Sequence, residues 1–478
     1  MSLKKIALSG MVWTAAQQFS TQGVNFVVSI ILARILLPDE FGLIGMIAVF
    51  IAIGSMLYNS GLTQSLIRTK DPDQDDYSTV FWFNMAGSIL LFLVMFCLAP
   101  FIADFYNKEI LKDIIRVYSL IFIINAFSAV QSTRLTKTFD FKAHLKISLP
   151  STIVTGLTGI YMAYMGYGVW SLVFNNLAGA CCSSILFWIV SGWRPSFRFN
   201  KEKFRTHFKF GYNMTLSGLL STVFDNVYII VIGRFFSPSQ VGYYTRADTL
   251  KQFPVGNIST ILNTVAYPLF ASIQDDDVRL KAVYKRIIKM VIFLVAPILV
   301  FMAVVAEPLF RFLLTEKWLP AVPYFQILCI AGILYPVHAY NLNILQVKGR
   351  SDLYLKLEMV KKAIVVVVIL ITIQFGIYGL LWGQIFLSIA AFFINTYFTG
   401  KYLNYTSWEQ ALDLIPTIGI AFFAGAIMFL LDYFVISHLS DFLRIFICSS
   451  IGTILYLGLS KIIKEESLGE VIAIIKRK

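Results

Sequence analysis

Apolar stretches of about 20 residues recur along the whole sequence, and they restrict the possible folds more than any other feature. A helix that crosses the hydrocarbon core of a bilayer needs about 20 mostly apolar residues. Hydrophobic residues make up 58% of the 478 residues and charged residues only 14%, which is too few charges for a soluble fold of this size. The sequence therefore predicts an all-α integral membrane protein.

We predict about fourteen membrane-spanning segments followed by a short amphipathic tail. Lys4 and Lys5 precede the first segment as in a signal peptide. That segment runs on past Leu36 without a clear small-residue cleavage site, so we expect it to be retained as a helix. The predicted segments are residues 12–36, 41–66, 79–103, 114–134, 147–165, 169–191, 210–234, 241–273, 287–306, 321–347, 358–375, 378–400, 412–435 and 440–461, and the tail is residues 464–478.

Lys and Arg are unevenly distributed between the links that join these segments. They collect before the first segment, in the tail and in the links after every second segment. The alternate links keep chiefly Lys108, Lys112, Arg311 and Lys317. The positive-inside rule then places both termini in the cytoplasm. It also accounts for the net charge of +13 without an acidic partner such as a nucleic acid.

One basic link, residues 193–205, alternates cationic and aromatic side chains. That pattern is typical of a segment that lies on an anionic membrane surface, because the rings enter the interface while the cations meet lipid headgroups. We therefore predict that this link lies on the cytoplasmic surface of the membrane.

A short motif occurs twice, at residues 34–42 and 234–242, with a constant offset of 200 residues. Its shared positions are Arg34, Pro38 and Gly42 in the first copy and Arg234, Pro238 and Gly242 in the second. Because Pro fixes φ and Gly accepts positive φ, the motif predicts a tight link between two helices. An Arg in the last turn of the first helix can bond the free carbonyl groups of that helix. The alternative to duplication is a recurring solution for a helical hairpin.

Further matches follow the motif in both halves, at offsets of 208, 212 and 210 residues. They pair residues 99–101 with 307–309, 138–141 with 350–353, and 165–167 with 375–377. Each repeat has six segments, an even number, so we predict a parallel repeat with a pseudo-two-fold axis along the membrane normal. The predicted organisation is an N-lobe (1–208), a C-lobe (209–405), and two extra helices with the tail (406–478). Such lobes suit a transporter that rocks around a central cavity.

Two segments carry polar residues spaced three or four apart, which places them on one helix face. The first stripe contains Thr14, Gln18, Thr21, Asn25 and Ser29, and the second contains Ser217, Ser221, Asp225 and Tyr228. Asn25 and Asp225 correspond at the offset of 200. We interpret the stripes as walls of a substrate cavity. The alternative is that they only hold helices together.

The eighth segment is the most charged, with Arg246, Asp248 and Lys251. Lys251 lies 13 residues after Pro238 and Asp225 lies 13 before it. At a rise of about 1.5 Å per residue, both should be buried at a similar depth. We interpret Lys251 and Arg246 as a cationic site for phosphate, with Asp225 or Asp248 as the site for a coupling H⁺ or Na⁺. The alternative is an ion pair that joins the seventh and eighth segments.

The cysteines and histidines are scattered and show no ligand spacing, so we predict no metal site and no cofactor.

The chain resembles the polysaccharide-transporter branch of the multidrug/oligosaccharidyl-lipid/polysaccharide flippase superfamily, and in particular the Wzx type associated with polysaccharides such as colanic acid. The resemblance lies in the paired motif, residues 193–195 followed by 208–211, residues 75–82, and the plan of twelve plus two segments. It implies a flippase that moves an undecaprenyl-pyrophosphate-linked oligosaccharide from the cytoplasmic to the periplasmic leaflet of a bacterial inner membrane. The product would be O-antigen, capsule or exopolysaccharide, and the cycle would be alternating access, coupled to an ion.

Two other classes of function stay open at this point. A drug or cation antiporter of the same superfamily would share the lobes but would favour acidic residues over a buried Lys and Arg. A membrane polysaccharide polymerase or glycosyltransferase would need a sizeable outer loop, whereas the outer links here are short. We therefore expect a transporter rather than an enzyme. Its expected partners are a lipid-linked oligosaccharide, membrane lipids and other polysaccharide-assembly membrane proteins.

Overall fold

The protein is helical throughout the part of the chain that its structure, a computed structural model, describes, namely residues 3–59 and 61–476. Within lipid, a helix satisfies every backbone hydrogen-bonding group inside its own segment. The helices of the first half are α1 (Leu3–Ile35), α2 (Pro38–Asn59), α3 (Leu62–Arg68), α4 (Gln74–Tyr106), α5 (Ile110–Tyr118), α6 (Leu120–Lys137), α7 (Phe141–Tyr164) and α8 (Val169–Ser191).

The second half follows a similar order of helices, some of them divided or joined, and then adds three more. Its helices are α9 (Lys201–Asp225), α10 (Val227–Phe235), α11 (Pro238–Ser272), α12 (Asp277–Val304), α13 (Ala306–Leu314), α14 (Val322–Gly332), α15 (Tyr335–Val347), α16 (Ser351–Thr372), α17 (Gly376–Leu403), α18 (Ser407–Leu431), α19 (Asp441–Ile462) and α20 (Glu466–Lys476). Helix α20 is the predicted tail, whose last two residues lie outside the described part.

The long apolar helices make this a multi-pass membrane protein. Nine stretches of the described residues are long and apolar enough to cross a membrane, and the bent pair α9 and α10 would make a tenth. One of the nine, Ser351–Leu403, contains the two helices α16 and α17. The long helices that fall short of this criterion are α1, α7 and α11. Of these, α1 carries a polar stripe and α11 carries charged residues. The total of fourteen spans stays a prediction.

Left-handed residues recur at corresponding positions of the two halves. The pairs are Asn107 (φ 53°) with Thr315 (80°), Phe139 (58°) with Gly349 (70°), Gly166 (80°) with Gly376 (71°), and Gly192 (61°) with Asn404 (50°). Positive φ is uncommon, above all outside glycine, so four matching positions at offsets of 208 to 212 residues are not a chance coincidence. They support an internal repeat, whereas six spans per copy and a parallel orientation stay predictions.

Helix breaks are the main departure from the predicted segments. The sixth segment, residues 169–191, coincides with α8, but the seventh is divided into α9 and α10, which meet at a bend of 45°. At this break the Asn226 side chain donates to the main-chain oxygen of Thr222 at 2.8 Å, in competition with the helical ladder. The tenth segment is divided into α14 and α15, and a proline stands at the start of α15, where its missing N–H costs nothing.

The chain forms two compact units, one up to Gly242 and one from Tyr243 onward. Helices α9 and α10, the first span of the second repeat, thus pack with the first unit. The predicted lobe boundary at residues 208/209 is a boundary between repeats in the sequence, whereas the division at Gly242 reflects packing. The lobe boundary stays a prediction.

Candidate functional site

Both copies of the repeated motif form the same helical hairpin. Two residues separate the helices in each copy, and a proline opens the second helix, because α1 ends at Ile35 before Pro38 and α10 ends at Phe235 before Pro238. Proline suits this position since it lacks the N–H that the first turn would leave unsatisfied. The residues on either side of both hairpins also share a burial pattern, with Arg34 and Arg234 exposed and both prolines buried.

The two hairpins contact each other inside the first unit. Gly42 lies against the carbonyl oxygen of Pro238, and Gly242 lies against the carbonyl oxygen of Pro38. A Cβ atom on either glycine would overlap that oxygen. Glycine at both positions is therefore what lets the two backbones approach so closely.

Polar contacts surround this glycine contact. The Ser239 hydroxyl donates to the Asp39 carboxylate. The Arg234 guanidinium donates to the main-chain oxygen of Phe105 near the end of α4, and lies 5.2 Å from the centre of the Phe105 ring. Arg234 thus bonds a terminal carbonyl group of a neighbouring helix, where we expected one of its own helix. The reason is that α4 ends beside α10 and presents its own free carbonyl groups there.

Helix α1 has two exposed faces of opposite character. Thr14, Gln18 and Asn25 are exposed and Thr21 is half-buried, with its hydroxyl donating to the main-chain oxygen of Gln17 at 2.8 Å. The exposed apolar side chains of the same helix are Val12, Phe19 and Val27. Because successive residues of a helix differ by about 100°, the apolar set lies roughly opposite the polar set. One side of α1 therefore suits lipid, and the other suits water or a polar cargo.

The corresponding stripe of the second repeat lies at the break between α9 and α10. Ser221 and Asp225 are exposed one helical turn apart, and Tyr228 is half-buried just after the break. The side chain of Ser217 lies outside the described residues. Asp225 was expected to be buried, but as the last residue of α9 it stands where the helix ends and turns away.

The position of Asp225 has an electrostatic consequence. A carboxylate at the C-terminal end of a helix faces the negative end of the helix dipole, so the charge does not help to cap the helix. In membrane proteins, the C-terminal ends of broken helices coordinate cations such as Na⁺ and H⁺. Asp225 is therefore a candidate for a cation site.

The charged residues of α11 lie in the second unit. Lys251 is 8% exposed, and its Nζ lies 2.5 Å from Oδ1 of Asp248, one turn earlier in the same helix. The stem of Lys251 packs against Gly332 at the end of α14. The Arg246 guanidinium lies 5.8 Å from the centre of the Trp318 ring. Lys251 thus pairs with Asp248 of its own helix, whereas the alternative interpretation expected a pair that joins the seventh and eighth segments. The i to i+3 spacing that allows the pair is readable in the sequence.

No spacing pattern in the sequence marks a further buried polar cluster, formed by Ser65, Asp76 and His207 in the first unit. These residues lie on three different helices, so only the folded chain brings them together. Among the described residues no group of three or more His, Cys, Asp or Glu side chains could hold a metal ion.

Residues 31–323 match a family described as "Polysaccharide biosynthesis protein". The chain belongs to this family. The matched range includes both hairpins, Asp225 and the charged part of α11, and it leaves out the polar stripe of α1.

Characterised relatives span most of the chain. It is 25% identical over 443 residues to the lipopolysaccharide biosynthesis protein WzxC of Escherichia coli (strain K12), covering 90% of this chain and 89% of that one. It is 26% identical over 354 residues to the teichuronic acid biosynthesis protein TuaB of Bacillus subtilis (strain 168), covering 74% and 73%. Among solved structures, the lipid II flippase MurJ in an inward-closed conformation has the same fold, with a TM-score of 0.77, 14% identity, and coverage of 95% and 99%.

Proposed function

We propose that this protein is a flippase for an undecaprenyl-pyrophosphate-linked oligosaccharide. In this proposal it moves the repeat unit from the cytoplasmic to the periplasmic leaflet of a bacterial inner membrane by alternating access, for the synthesis of a surface polysaccharide. Its termini lie in the cytoplasm, as the distribution of Lys and Arg predicts. Membership of the polysaccharide biosynthesis family supports this function, and so do an internal repeat and a fold shared with a lipid flippase.

The observation that carries the proposal is the exposed polar face of α1. Exposing amide and hydroxyl groups to hydrocarbon is costly, so such a face persists in a membrane helix when it lines a polar path. Gln18 and Asn25 offer both hydrogen-bond donors and acceptors, which is what the hydroxyl groups of a sugar require. In the proposed function this face of α1 contacts the oligosaccharide.

Cationic groups are needed for the pyrophosphate of the cargo, because an anion cannot enter a low-dielectric region without compensation. Arg246 is the better candidate, since it is only half-buried and its planar guanidinium can bond two phosphate oxygens at once. Lys251 is buried and paired with Asp248, which limits its access to a substrate. Asp225, exposed at the end of α9, is the proposed site of a coupling cation.

The test replaces polar residues on one face of α1 and apolar residues on the other. We expect Gln18→Leu with Asn25→Leu to reduce export at least about tenfold, since each lost hydrogen bond is worth about 1 kcal/mol. The matched control is Phe19→Leu with Val27→Leu, two equally exposed positions of the same helix. Both variants should reach the membrane in normal amounts. The measurement is complementation of a strain that lacks its own flippase, with labelling of lipid-linked oligosaccharide in each leaflet.

Equal export by the two variants would contradict the proposal.

A cation antiporter makes a different prediction for the charged residues. There Asp225→Asn would abolish efflux of a cationic drug, and Arg246→Gln would leave it unchanged. For the flippase we expect Arg246→Gln to abolish export.

A further inference from the structure

The link between the two repeats is hydrogen-bonded to residues at the start of α4. The Trp193 indole donates to Gln74 Oε1 at 2.7 Å, and the main-chain N–H of Ser196 donates to the Ser78 hydroxyl at 2.9 Å. The main-chain N–H of Asn200 donates to the Thr79 hydroxyl at 3.1 Å.

The prediction that this link lies on the membrane surface was therefore incomplete. Trp193 is buried in a cluster with Leu66, Phe81 and Val130, whereas Phe197 and Arg198 are exposed. Lipid contact stays a prediction for those two exposed side chains. The polar residues at the start of α4 bond the link, and this is their role in the fold.

The link leads into α9, and His207 of that helix lies in a buried site between three helices. His207 is 2% exposed, and both of its ring nitrogens have partners. Nδ1 lies 2.8 Å from the Ser65 hydroxyl of α3, and Nε2 lies 3.2 Å from Oδ1 of Asp76 in α4. The other carboxylate oxygen of Asp76 accepts from Lys203 Nζ at 2.9 Å. The ring thus ties α9 to both α3 and α4.

Asp76 is not the only carboxylate that Lys203 contacts. Lys203 also pairs with Asp73, the N-cap of α4, and this hydrogen bond, together with one from the Asp76 main chain, lowers the pKa of Asp73 to about 2. Two carboxylates therefore share one lysine when the imidazole is neutral. The other charged or titratable groups on the elements packed around the ring are Arg68 on α3, Asp75 and Tyr77 on α4, and Arg134 and Lys137 on α6.

A further lysine, Lys137 of α6, is already engaged. Lys137 Nζ donates to the main-chain oxygens of Leu66 and Ile67 at 3.2 Å each, at the end of α3. It therefore caps α3 and does not bond Asp76. A proton on the ring would give Asp76 a second charged donor beside Lys203.

We propose that His207 is a proton-binding site whose occupancy holds α9 against α3 and α4. With the proton bound, both ring nitrogens donate, one to Ser65 and one to Asp76, and an ion pair adds to the two hydrogen bonds. Without it, the ring keeps one donor and the Ser65 hydroxyl donates to the other nitrogen. The proton enters from and returns to the aqueous phase at this end of the unit, and no covalent bond changes.

Helix α9 also contacts the residue just before α3 through two glycines, and such a contact can separate. Gly61, with φ of 64°, approaches the backbone of Gly211 so closely that a Cβ on it would lie 2.7 Å from the Gly211 Cα. Two glycines meet there without interlocking side chains. The polar cluster therefore acts beside an aromatic contact between α4 and α9, in which the Phe83 ring lies 4.8 Å from that of Phe204. By linkage, a group that binds its proton more tightly in the docked state weakens docking as the pH rises. The part of this proton in a transport cycle rests on the proposed function, but the site itself does not.

The test measures the distance between the link that precedes α4 and helix α9 as a function of pH. Spin labels are placed at Asp71 and Arg205, both exposed, in full-length protein whose five cysteines have been replaced. Between about pH 5.5 and about pH 9, the range in which histidine changes charge, we expect the ratio of longer to shorter distances to rise at least about tenfold. In His207→Gln the distances should not depend on pH.

The matched control is His144→Gln. His144 is a half-buried histidine of the same unit, and its Nε2 lies 3.1 Å from the Thr136 hydroxyl. This variant should keep the pH dependence of the parent protein. A parent distribution that does not respond to pH would overturn the proposal, and so would a His207→Gln variant that still responds.

A second measurement covers the case of a poorly folded variant. In protein with ¹⁵N-labelled histidine, one ring that titrates in the parent should be missing in His207→Gln, and its titration midpoint should shift in Asp76→Asn. An unshifted midpoint would overturn the pairing with Asp76. Neither readout requires transport. The proton site can therefore be disproved while the α1 variants still support a flippase, and the flippase function can be disproved while the proton site is supported.

Discussion

A charged side chain inside a membrane helix is tolerated when a partner of opposite charge lies within reach, and Lys251 has such a partner in Asp248. The pair spans one turn of α11, with Lys251 buried and Asp248 about one-third exposed. Removing one member of a buried pair leaves an uncompensated charge, whereas replacing both removes the cost of burying either. The two kinds of variant should therefore behave differently.

We predict that Lys251→Met alone lowers the amount of folded protein in the membrane by a free-energy cost of about 2–3 kcal/mol, because Asp248 loses its partner. Lys251→Met with Asp248→Asn should restore that amount and also restore export, since Arg246 remains available to phosphate. The measurement is quantitative immunoblotting of membranes together with complementation. A double variant that accumulates normally but does not export would instead assign Lys251 to the substrate or Asp248 to the coupling cation, and Asp248→Asn alone separates these two roles.

The charged residues illustrate how far a sequence predicts a site of this kind. Hydropathy and spacing single out Arg246, Asp248 and Lys251 as unusual, because charges inside an apolar segment are conspicuous. Choosing the partner of Lys251 required the folded chain, since equal depth in the membrane also admitted Asp225. His207 could not have been found at all, because Ser65 and Asp76 come from distant parts of the sequence.

At the scale of helices, the contact between the two hairpins has no side chain at its centre. Gly42 and Gly242 each meet the backbone of the opposite hairpin, so two helix ends approach as closely as their main chains permit. Such a contact can form and separate without repacking of side chains. It is therefore suited to a helix pair that opens and closes.

We predict that Gly42→Ala or Gly242→Ala prevents this approach. Each added methyl group would overlap a carbonyl oxygen, and forcing extra atoms into a packed site costs about 1–3 kcal/mol. Cross-linking between cysteines introduced at Asp39 and Ser239 should then fall at least about fivefold. The control is Gly256→Ala in the same helix α11, where an added Cβ meets no atom within 4 Å. Unchanged cross-linking in Gly42→Ala and Gly242→Ala would contradict the role given to the glycines.

Helix positions were more predictable than helix breaks. Residues 169–191 coincide with α8, because Gly168 and Gly192 punctuate that segment at both ends. The breaks at Asn226 and before Tyr335 both lie inside stretches that were predicted as single segments. They depend on a side chain that competes with the backbone and on a proline at the start of a helix.

In the whole molecule, the duplication constrains the side of the membrane on which each link can lie. Repeats with an even number of spans must place equivalent links on the same side of the membrane, whereas an odd number would invert one copy. The left-handed residues that end corresponding helices support the equivalence of the links. They do not determine which side each link faces, and the number of spans per repeat is itself a prediction.

Single cysteines at four exposed positions test whether equivalent links lie on the same side of the membrane. They are introduced into protein whose native cysteines have been replaced. Leu37 and Ser237 occupy equivalent hairpins, and Asp71 and Asp275 occupy the equivalent links that follow. An impermeant thiol reagent added to intact cells should label positions 37 and 237, because the Lys- and Arg-poor side faces outward. Positions 71 and 275 should react only after the membrane is opened. Gly349 is less suitable as a cytoplasmic reporter, since its φ of 70° would strain a cysteine. Labelling of 37 and 275 from outside, with 71 and 237 protected, would establish an inverted repeat and would rule out the six-span plan.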